Sequence, residues 1–535
     1  MTSPTPPTEF SGFIHAADGG LLDGRGNPVL LRGFGLGNWM VPEGYMWRFE
    51  EPGPMSPRQI EAFFEDLLGP DRAREFWRGF HDRYVTADDI GRMAAIGVNH
   101  VRLPINARLI LTEDGTPIED GGLELIDRLI DWCRPYGLWV ILALHGAPGG
   151  QTGTGIDDSF GTPALFEDVR NRELTVELWR CIARRYRDEP VIAGYDLLNE
   201  PLPDEYQHTY ANDLVWLYKE LTSAIREVDP NHLIIYEGLH RATDWSIFTE
   251  VWDPNSMLQF HRYWSPPDRV GIQDFLDVRE RLGLPIYMGE GGENNNDWIQ
   301  TAFTLYDEHS ISWNFWPWKK IRTTTSPCSV EPPPGWDAVL EYASARGPRP
   351  DPDEAWAIFS ELLVRCDLAR CTWRPEVLSA LLRQAPVHFP AWGFGFQGPG
   401  VSYQTSAATP LPGFRADDQV TLHAHGSPEG WPGFDHNDGA DRAEGDEIVV
   451  ELREADWIAY DFVLDRPRSL TVVVAYSSPD EPPEVLVDGS RLPATVEHGR
   501  LAAVTGTPLP AGTHRIHVIS TTDATRLAWL EATPT

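Results

Sequence analysis

Two glutamates directly follow apolar, β-rich runs: Glu200 in Asn199-Glu200-Pro201 and Glu290 in Gly289-Glu290. A charged side chain closing an apolar strand is expensive to bury unless it is paired or functional. Cleaving a glycosidic bond with retention needs two carboxyl groups on opposite sides of the anomeric carbon, roughly 5–5.5 Å apart. One attacks and the other protonates the leaving oxygen. Each glutamate alone reads equally well as a structural carboxylate. As a pair on strand ends several strands apart, they read as a catalytic couple, Glu200 the acid/base and Glu290 the nucleophile.

Their neighbours fit that chemistry. Asn199 can aim its amide at a hydroxyl beside the anomeric carbon, a contact that strengthens in the transition state. Arg102, in Val101-Arg102-Leu103-Pro104, can hold Glu290 ionised through charge-assisted hydrogen bonds. Pro201 is expected to keep Glu200 extended, and Gly289 to let the backbone approach closely before Glu290. The acid/base should then have a raised pKa and the nucleophile a low one. Glu237 is a third carboxylate on the same face, read as a structural or substrate-hydroxyl contact, and Glu293 could reach a distal hydroxyl.

These residues need a frame that places strand ends together. The strand candidates are Val29–Phe34, Val98–Leu103, Leu138–Leu144, Ala193–Leu198, Leu233–Tyr236, Met257–Phe260, Pro285–Met288 and Ile311–Phe315. Amphipathic stretches such as Leu123–Pro135 and Arg172–Tyr186 lie between them. Near-continuous apolar strands alternating with helices imply parallel strands covered on both faces, and eight of them fit a closed (β/α)8 TIM barrel. The barrel is expected over residues 12–385, with an inserted aromatic-rich segment at 41–89 as a lid or rim and a long loop at 319–352. Residues 386–412 read as a Gly/Pro/aromatic strap. Residues 413–535 carry short alternating strands with regular turns, the texture of a β-sandwich.

At this point the chain resembles glycoside hydrolase family 5. Leu31-Arg32-Gly33-Phe34-Gly35-Leu36-Gly37-Asn38-Trp39, Val101-Arg102-Leu103-Pro104 and Leu144-His145-Gly146-Ala147-Pro148-Gly149-Gly150-Gln151 look like that family's first three strand motifs, in order. His261-Arg262-Tyr263 is similar to its sixth-strand His-x-Tyr. The resemblance implies that His145 and His261 line the catalytic subsite, that Tyr263 hydrogen-bonds the nucleophile, and that Trp316 lies under the sugar ring. Trp313 and Trp318 stay open between core and site. The C-terminal segment resembles carbohydrate-binding modules of the β-sandwich type. The early motifs lean toward the exo-1,3-glucanase and β-glucosidase side of the family. An exo-acting, β-glucosidase-like β-glycosidase for small glycosides is therefore expected, with an endo-β-glucanase, a retaining mannosidase or furanosidase, or an inactive sugar-binding protein as alternatives.

The formal net charge of −36 offers no basic cluster for a phosphate backbone, so a carbohydrate or glycoside and not nucleic acid is the expected partner. There is no His-x-x-x-His, Cys-x-x-Cys or EF-type spacing, and no metal or cofactor is expected. No secretory leader or apolar span is visible, which points to a cytoplasmic protein away from membranes, its five cysteines reduced. The sandwich of such an enzyme is expected to dock on the barrel and not to bind polysaccharide independently. The aglycone, the sugar and the oligomeric state stay open.

Overall fold

The computed structural model describes residues 10–425, 433–440, 447–478, 481–497 and 499–535. Eight strands form its centre: β1 (Arg32–Gly35), β2 (His100–Asn106), β3 (Trp139–Gly146), β4 (Ile192–Asp196), β5 (Leu233–Glu237), β6 (Ser256–His261), β7 (Ile286–Gly292) and β8 (Ser312–Trp316). They close into a barrel in sequence order, β8 pairing with β1. Every residue of β2 and β3 is buried, as parallel strands covered by helices require. Leu31, Trp139, Ile141, Met257 and Tyr287 form a separate apolar cluster with Ile14 and Leu21 of the N-terminal hairpin. Among the described residues no helix is long and apolar enough to cross a membrane, and all five cysteines are free thiols.

The 41–89 segment folds as two helices, α1 (Pro57–Leu68) and α2 (Pro70–Arg83), each opened by a proline whose missing N–H would have no helical partner anyway. Its aromatic residues pack on one another. Trp47 meets Phe64, Phe76, Trp77 and Phe80 at centroid distances of 5.0–6.2 Å. Phe64 and Phe76 then meet Phe359 of α3 (Pro352–Arg365) at 4.6 and 5.1 Å. The segment is a second small core fastened to the closing helices. It fixes the turn at 43–45, which enters the site.

Beyond the barrel the strands include β9 (Val387–Pro390), β10 (Thr421–His425), β11 (Glu447–Leu452), β12 (Trp457–Leu464), β13 (Leu470–Ser477), β14 (Glu484–Val487), β15 (Arg500–Val504), β16 (Gly512–Ile519) and β17 (Thr525–Pro534). Two antiparallel sheets result, one running β10-β11-β17-β13-β15 and the other centred on β12-β16-β14. Burial alternates along β13 and β16, as strands with one inward face demand. The stretch expected as a strap contributes β9, which pairs antiparallel with β17 from Val387–Ala532 to Pro390–Trp529. Tyr460 is buried and donates to the carbonyl of Ala391 at 2.6 Å.

These sheets share one apolar cluster with the barrel. Arg415, 1% exposed, lies at the junction. Its guanidinium donates to the carbonyls of Trp392, Phe394 and Gly395 at 2.7–3.0 Å and to Asp418 at 2.6 Å. It also stacks over Phe394, 3.5 Å from the centroid, while its backbone N–H donates to Asp268 of the barrel at 2.7 Å. Arg415→Ala leaves those buried acceptors without a donor. It is expected to lower the unfolding free energy of the full chain by about 3–5 kcal/mol, read as an earlier midpoint in denaturant titration.

Candidate active site

Arg102 is fully buried and points inward from β2. Its Nε and Nη2 donate to Asp196 Oδ2 at 2.9 and 2.7 Å, and Nη2 also reaches Asn199 Oδ1 at 2.8 Å and Glu237 Oε1 at 3.0 Å. Nη1 donates to Glu290 Oε1 at 2.5 Å. The fork thus ties the ends of β4, β5 and β7 to β2. Asn199, its Oδ1 held by Arg102, lines the cavity.

Glu290 is placed by an irregularity. The β6–β7 register shifts between Met288 and Glu290, which brings Glu290 opposite His261. Such a shift re-aims a side chain that a regular strand would send elsewhere. Tyr263 then donates to Glu290 Oε2 at 2.8 Å. Gly289 serves a different purpose from the expected backbone approach: a Cβ there would lie 2.2 Å from the Gln259 side chain. Gln259 Nε2 donates to Glu237 Oε1 at 2.5 Å and to Asp196 Oδ2 at 3.1 Å.

Glu200 does not sit on the strand itself but four residues beyond β4. Its φ is +45°, so the extended geometry expected before Pro201 is not adopted. What holds the turn is Glu237, whose Oε2 accepts the Glu200 backbone N–H at 2.7 Å. The Glu200 carboxyl reaches His261 Nδ1 at 2.8 Å, and the same nitrogen lies 3.6 Å from Glu290 Oε2. One ligand atom from each of Glu200, His261 and Glu290 falls within 4.8 Å of the others.

Charge in this pocket is crowded. Burial disfavours a charged His261, but the carboxylates of Glu237 and Glu290 and its hydrogen bonds to Glu200 and Glu237 outweigh that and hold the ring well above the usual histidine range. His261 Nδ1 is engaged by the Glu200 carboxyl, so an ion held by the three groups would have to displace that hydrogen bond. His145 is pushed well below, first by burial and then by the cations of Arg102 and His261, so it stays neutral 3.5 Å from Glu290 Oε1. Glu290 is raised by burial, with His261 and Arg102 opposing and Glu200 adding to it. Burial thus works against the low nucleophile pKa expected from the sequence, while His261, Arg102 and Tyr263 work toward it. Asp196 is raised to about 7 by burial and by Glu237.

The cavity over these groups has a volume of about 830 Å³. Trp316 lines it, its ring parallel to His145 within 15° at 5.7 Å and its Nε1 donating to Tyr45 Oη at 2.8 Å. A Cβ on Gly35 would lie 2.3 Å from the Trp316 ring, and one on Gly37 2.7 Å. The glycines of the first-strand motif thus make room for this indole. Trp313 and Trp318 go to the core, donating to Asp307 and Asp89.

All eight sequence candidates (Glu200, Glu290, Arg102, His145, Asn199, His261, Tyr263 and Trp316) gather here. Glu237 and Glu293 lie among them, Glu293 paired with Lys320. The sequence reading missed Glu43, Tyr45, Asp196 and Gln259. Glu43 is 5% exposed and lines the cavity. Burial, and then the charges of Glu290, Glu293 and Glu200, push its carboxyl well above the usual range. Its one sequence signal is that it is the single charged residue in the largely apolar and aromatic run Leu36–Trp47.

Residues 71–321 match cellulase, glycosyl hydrolase family 5. The chain is 29% identical over 344 residues to a beta-xylosidase of Phanerodontia chrysosporium, covering 56% of this chain and 69% of that one. It is 30% identical over 274 residues to a probable glucan 1,3-beta-glucosidase A of Aspergillus fumigatus, covering 49% and 64%, and so spans less than two thirds of that relative. Endoglucanase C of Acetivibrio thermocellus is 26% identical over 309 residues, 46% of this chain and 87% of the relative.

Gly35→Ala tests the packing of Trp316. The added methyl must displace the indole or the β1 backbone, and the overpacking is expected to lower stability by about 1–3 kcal/mol. Thermal denaturation beside the parent reads this out.

Proposed function

With a glycoside hydrolase family 5 domain over residues 71–321, we propose that this chain is a retaining, exo-acting β-glycosidase, with Glu290 as nucleophile and Glu200 as acid/base. The observation that carries the reading is the pair's spacing: an oxygen of each carboxyl lies within 4.8 Å of the other. Retaining pairs sit roughly 5–5.5 Å apart, whereas inverting pairs leave about 6.5–9.5 Å for a water between them.

The geometry supports a double displacement. Glu290, steadied by Arg102 and Tyr263, attacks the anomeric carbon while Glu200 gives its proton to the leaving oxygen. The Asn199 amide faces the hydroxyl next to that carbon. Once Glu290 is esterified, the like charge facing Glu200 is gone, and Glu200 takes a proton from the water that releases the sugar. Trp316 offers a face for the apolar side of the ring. Glu43 and Tyr45, held across the subsite by the helical insert, and Glu293 beside them support a wall on the side away from the leaving group. That wall is why the reading is exo and small glycosides are the favoured substrates.

Glu290→Gln should abolish turnover with an unchanged melting temperature, because an amide cannot form the glycosyl ester. Glu200→Ala should keep glycosylation by substrates with good leaving groups, and azide should trap a β-glycosyl azide. Equal losses on good and poor leaving groups, with no azide product, would remove Glu200 from the acid/base role. NMR of the first-formed product anomer tests retention.

The pH profile tests the nucleophile separately. Glu290 acts ionised, and burial raises its pKa, so the acid limb of kcat/KM should lie above the ordinary carboxylate range. The Tyr263 hydrogen bond lowers that pKa; Tyr263→Phe should therefore move the limb to higher pH. A limb that stays in place in the variant would mean that it reports another group.

A further inference from the structure

The two sides of the cavity differ in chemistry, and barrel order says what each side faces. Loops after β8 and β1 bring Trp316, Glu43 and Tyr45 to one side, and Glu293 of the β7 loop stands at the border between that side and the next. Loops after β5 and β6 lie across the barrel from β1 and form the opposite side, next to the β4 loop that carries Glu200. A leaving oxygen must reach Glu200, so the group attached to it extends over the β5 and β6 loops.

That side has a polar edge, where His240, Arg241 and Thr243 come from the β5 loop and Ser265 from the β6 loop, and an apolar face beyond it. Val270, Phe275 and the indole of Trp264 line it, with Ile156 of the β3 loop. Trp264 and Val270 are 44% and 49% exposed, large apolar groups left open to solvent at the mouth. The indole N–H of Trp264 is taken by the carbonyl of Glu293 at 3.3 Å and the Tyr263 ring lies 5.3 Å from it, which leaves the remaining face of the indole as its free surface. Arg262 is spent on the carbonyls of Gly271 and Pro266, and the charged groups Arg241 and Asp274 are exposed. A second sugar could stack on Trp264, but its hydroxyls would be desolvated against Val270, Phe275 and Ile156. A volume of about 830 Å³ is also far more than one hexose fills, and lies in the range of sites that enclose drug-sized ligands.

We propose that the leaving-group side of this cavity binds an apolar aglycone, so that the substrates are β-glycosides of bulky hydrophobic alcohols and not oligosaccharides. This rests on the glycosidase reading above and deepens it.

The test is a series of n-alkyl β-glycosides, ethyl to octyl, on the full chain and below micelle-forming concentrations. The sugar is the one preferred in an aryl-glycoside screen. From ethyl onward the leaving-group chemistry is nearly constant, so changes in kcat/KM report aglycone binding. The expected result is a rise of about two- to fourfold per methylene over the first several carbons, with octyl glycoside surpassing cellobiose and laminaribiose. In Trp264→Ala and Val270→Ser the octyl-to-ethyl ratio, taken within each variant, should collapse by about tenfold or more. A flat series, or a disaccharide exceeding octyl glycoside, overturns the proposal while leaving the glycosidase standing. Failure on every aryl glycoside would instead sink the reading beneath it. The wild-type series decides the matter even if a variant does not fold.

Discussion

One buried guanidinium sets the terms for the rest of the site. Arg102 has no solvent, and a charge so placed is tolerable only with its donors saturated. Asp196, Asn199, Glu237 and Glu290 supply the acceptors from three other strands. The relation is mutual, since those carboxylates would repel one another without the cation between them. Burial and the neighbouring Glu237 raise the Asp196 carboxyl, and the Arg102 cation opposes that rise. Gln259 stitches Asp196 to Glu237 from below, and Glu237 in turn fixes the Glu200 backbone. Both glutamates of the candidate pair are therefore oriented through the same network, one by direct contact and the other at one remove.

The network is braced from outside the barrel as well. The helical insert holds Glu43 and Tyr45 through an aromatic core of its own. On the other flank, Asn294 donates to the carbonyls of Tyr263 at 3.2 Å and of Phe434 at 2.8 Å. One side chain thus connects the C-terminal region to the tyrosine that binds Glu290. Asn295 reaches the Ala440 carbonyl at 3.3 Å, and Arg48 pairs with Asp438 at 3.0 Å. The sheet-bearing C-terminal region is built into the site's surroundings and not tethered beside it.

Legibility from sequence followed the range of the interaction. The eight barrel strands were readable because each is a local apolar run, and the motif residues because their order along the chain survives folding. Glu43 was not, since its importance comes from a cavity made by distant segments. Gln259 looked like any polar residue in a strand, and its value depends on Gly289 leaving space in the neighbouring strand. Local rules also misjudged where tertiary contacts overrule them: Glu200 takes a positive φ despite Pro201 because Glu237 captures its N–H. The direction of the Glu290 pKa could not be read either, being a balance among burial, two cations and a second carboxylate. β9 was hidden in an aromatic strap because its partner strand lies far along the chain.

That last pairing has a consequence for biosynthesis. β9 follows the barrel immediately, yet the strand it pairs with contains Glu531, 143 residues beyond His388. Contacts of such sequence separation form slowly, and only once the distant strand has left the ribosome. Until then Val387, Phe389 and Trp392, all buried in the finished protein, have no cover from the sheets. A nascent barrel must wait through that interval with an apolar edge exposed. Completion of the distant sheet, and not closure of the barrel, is therefore the step that buries this edge.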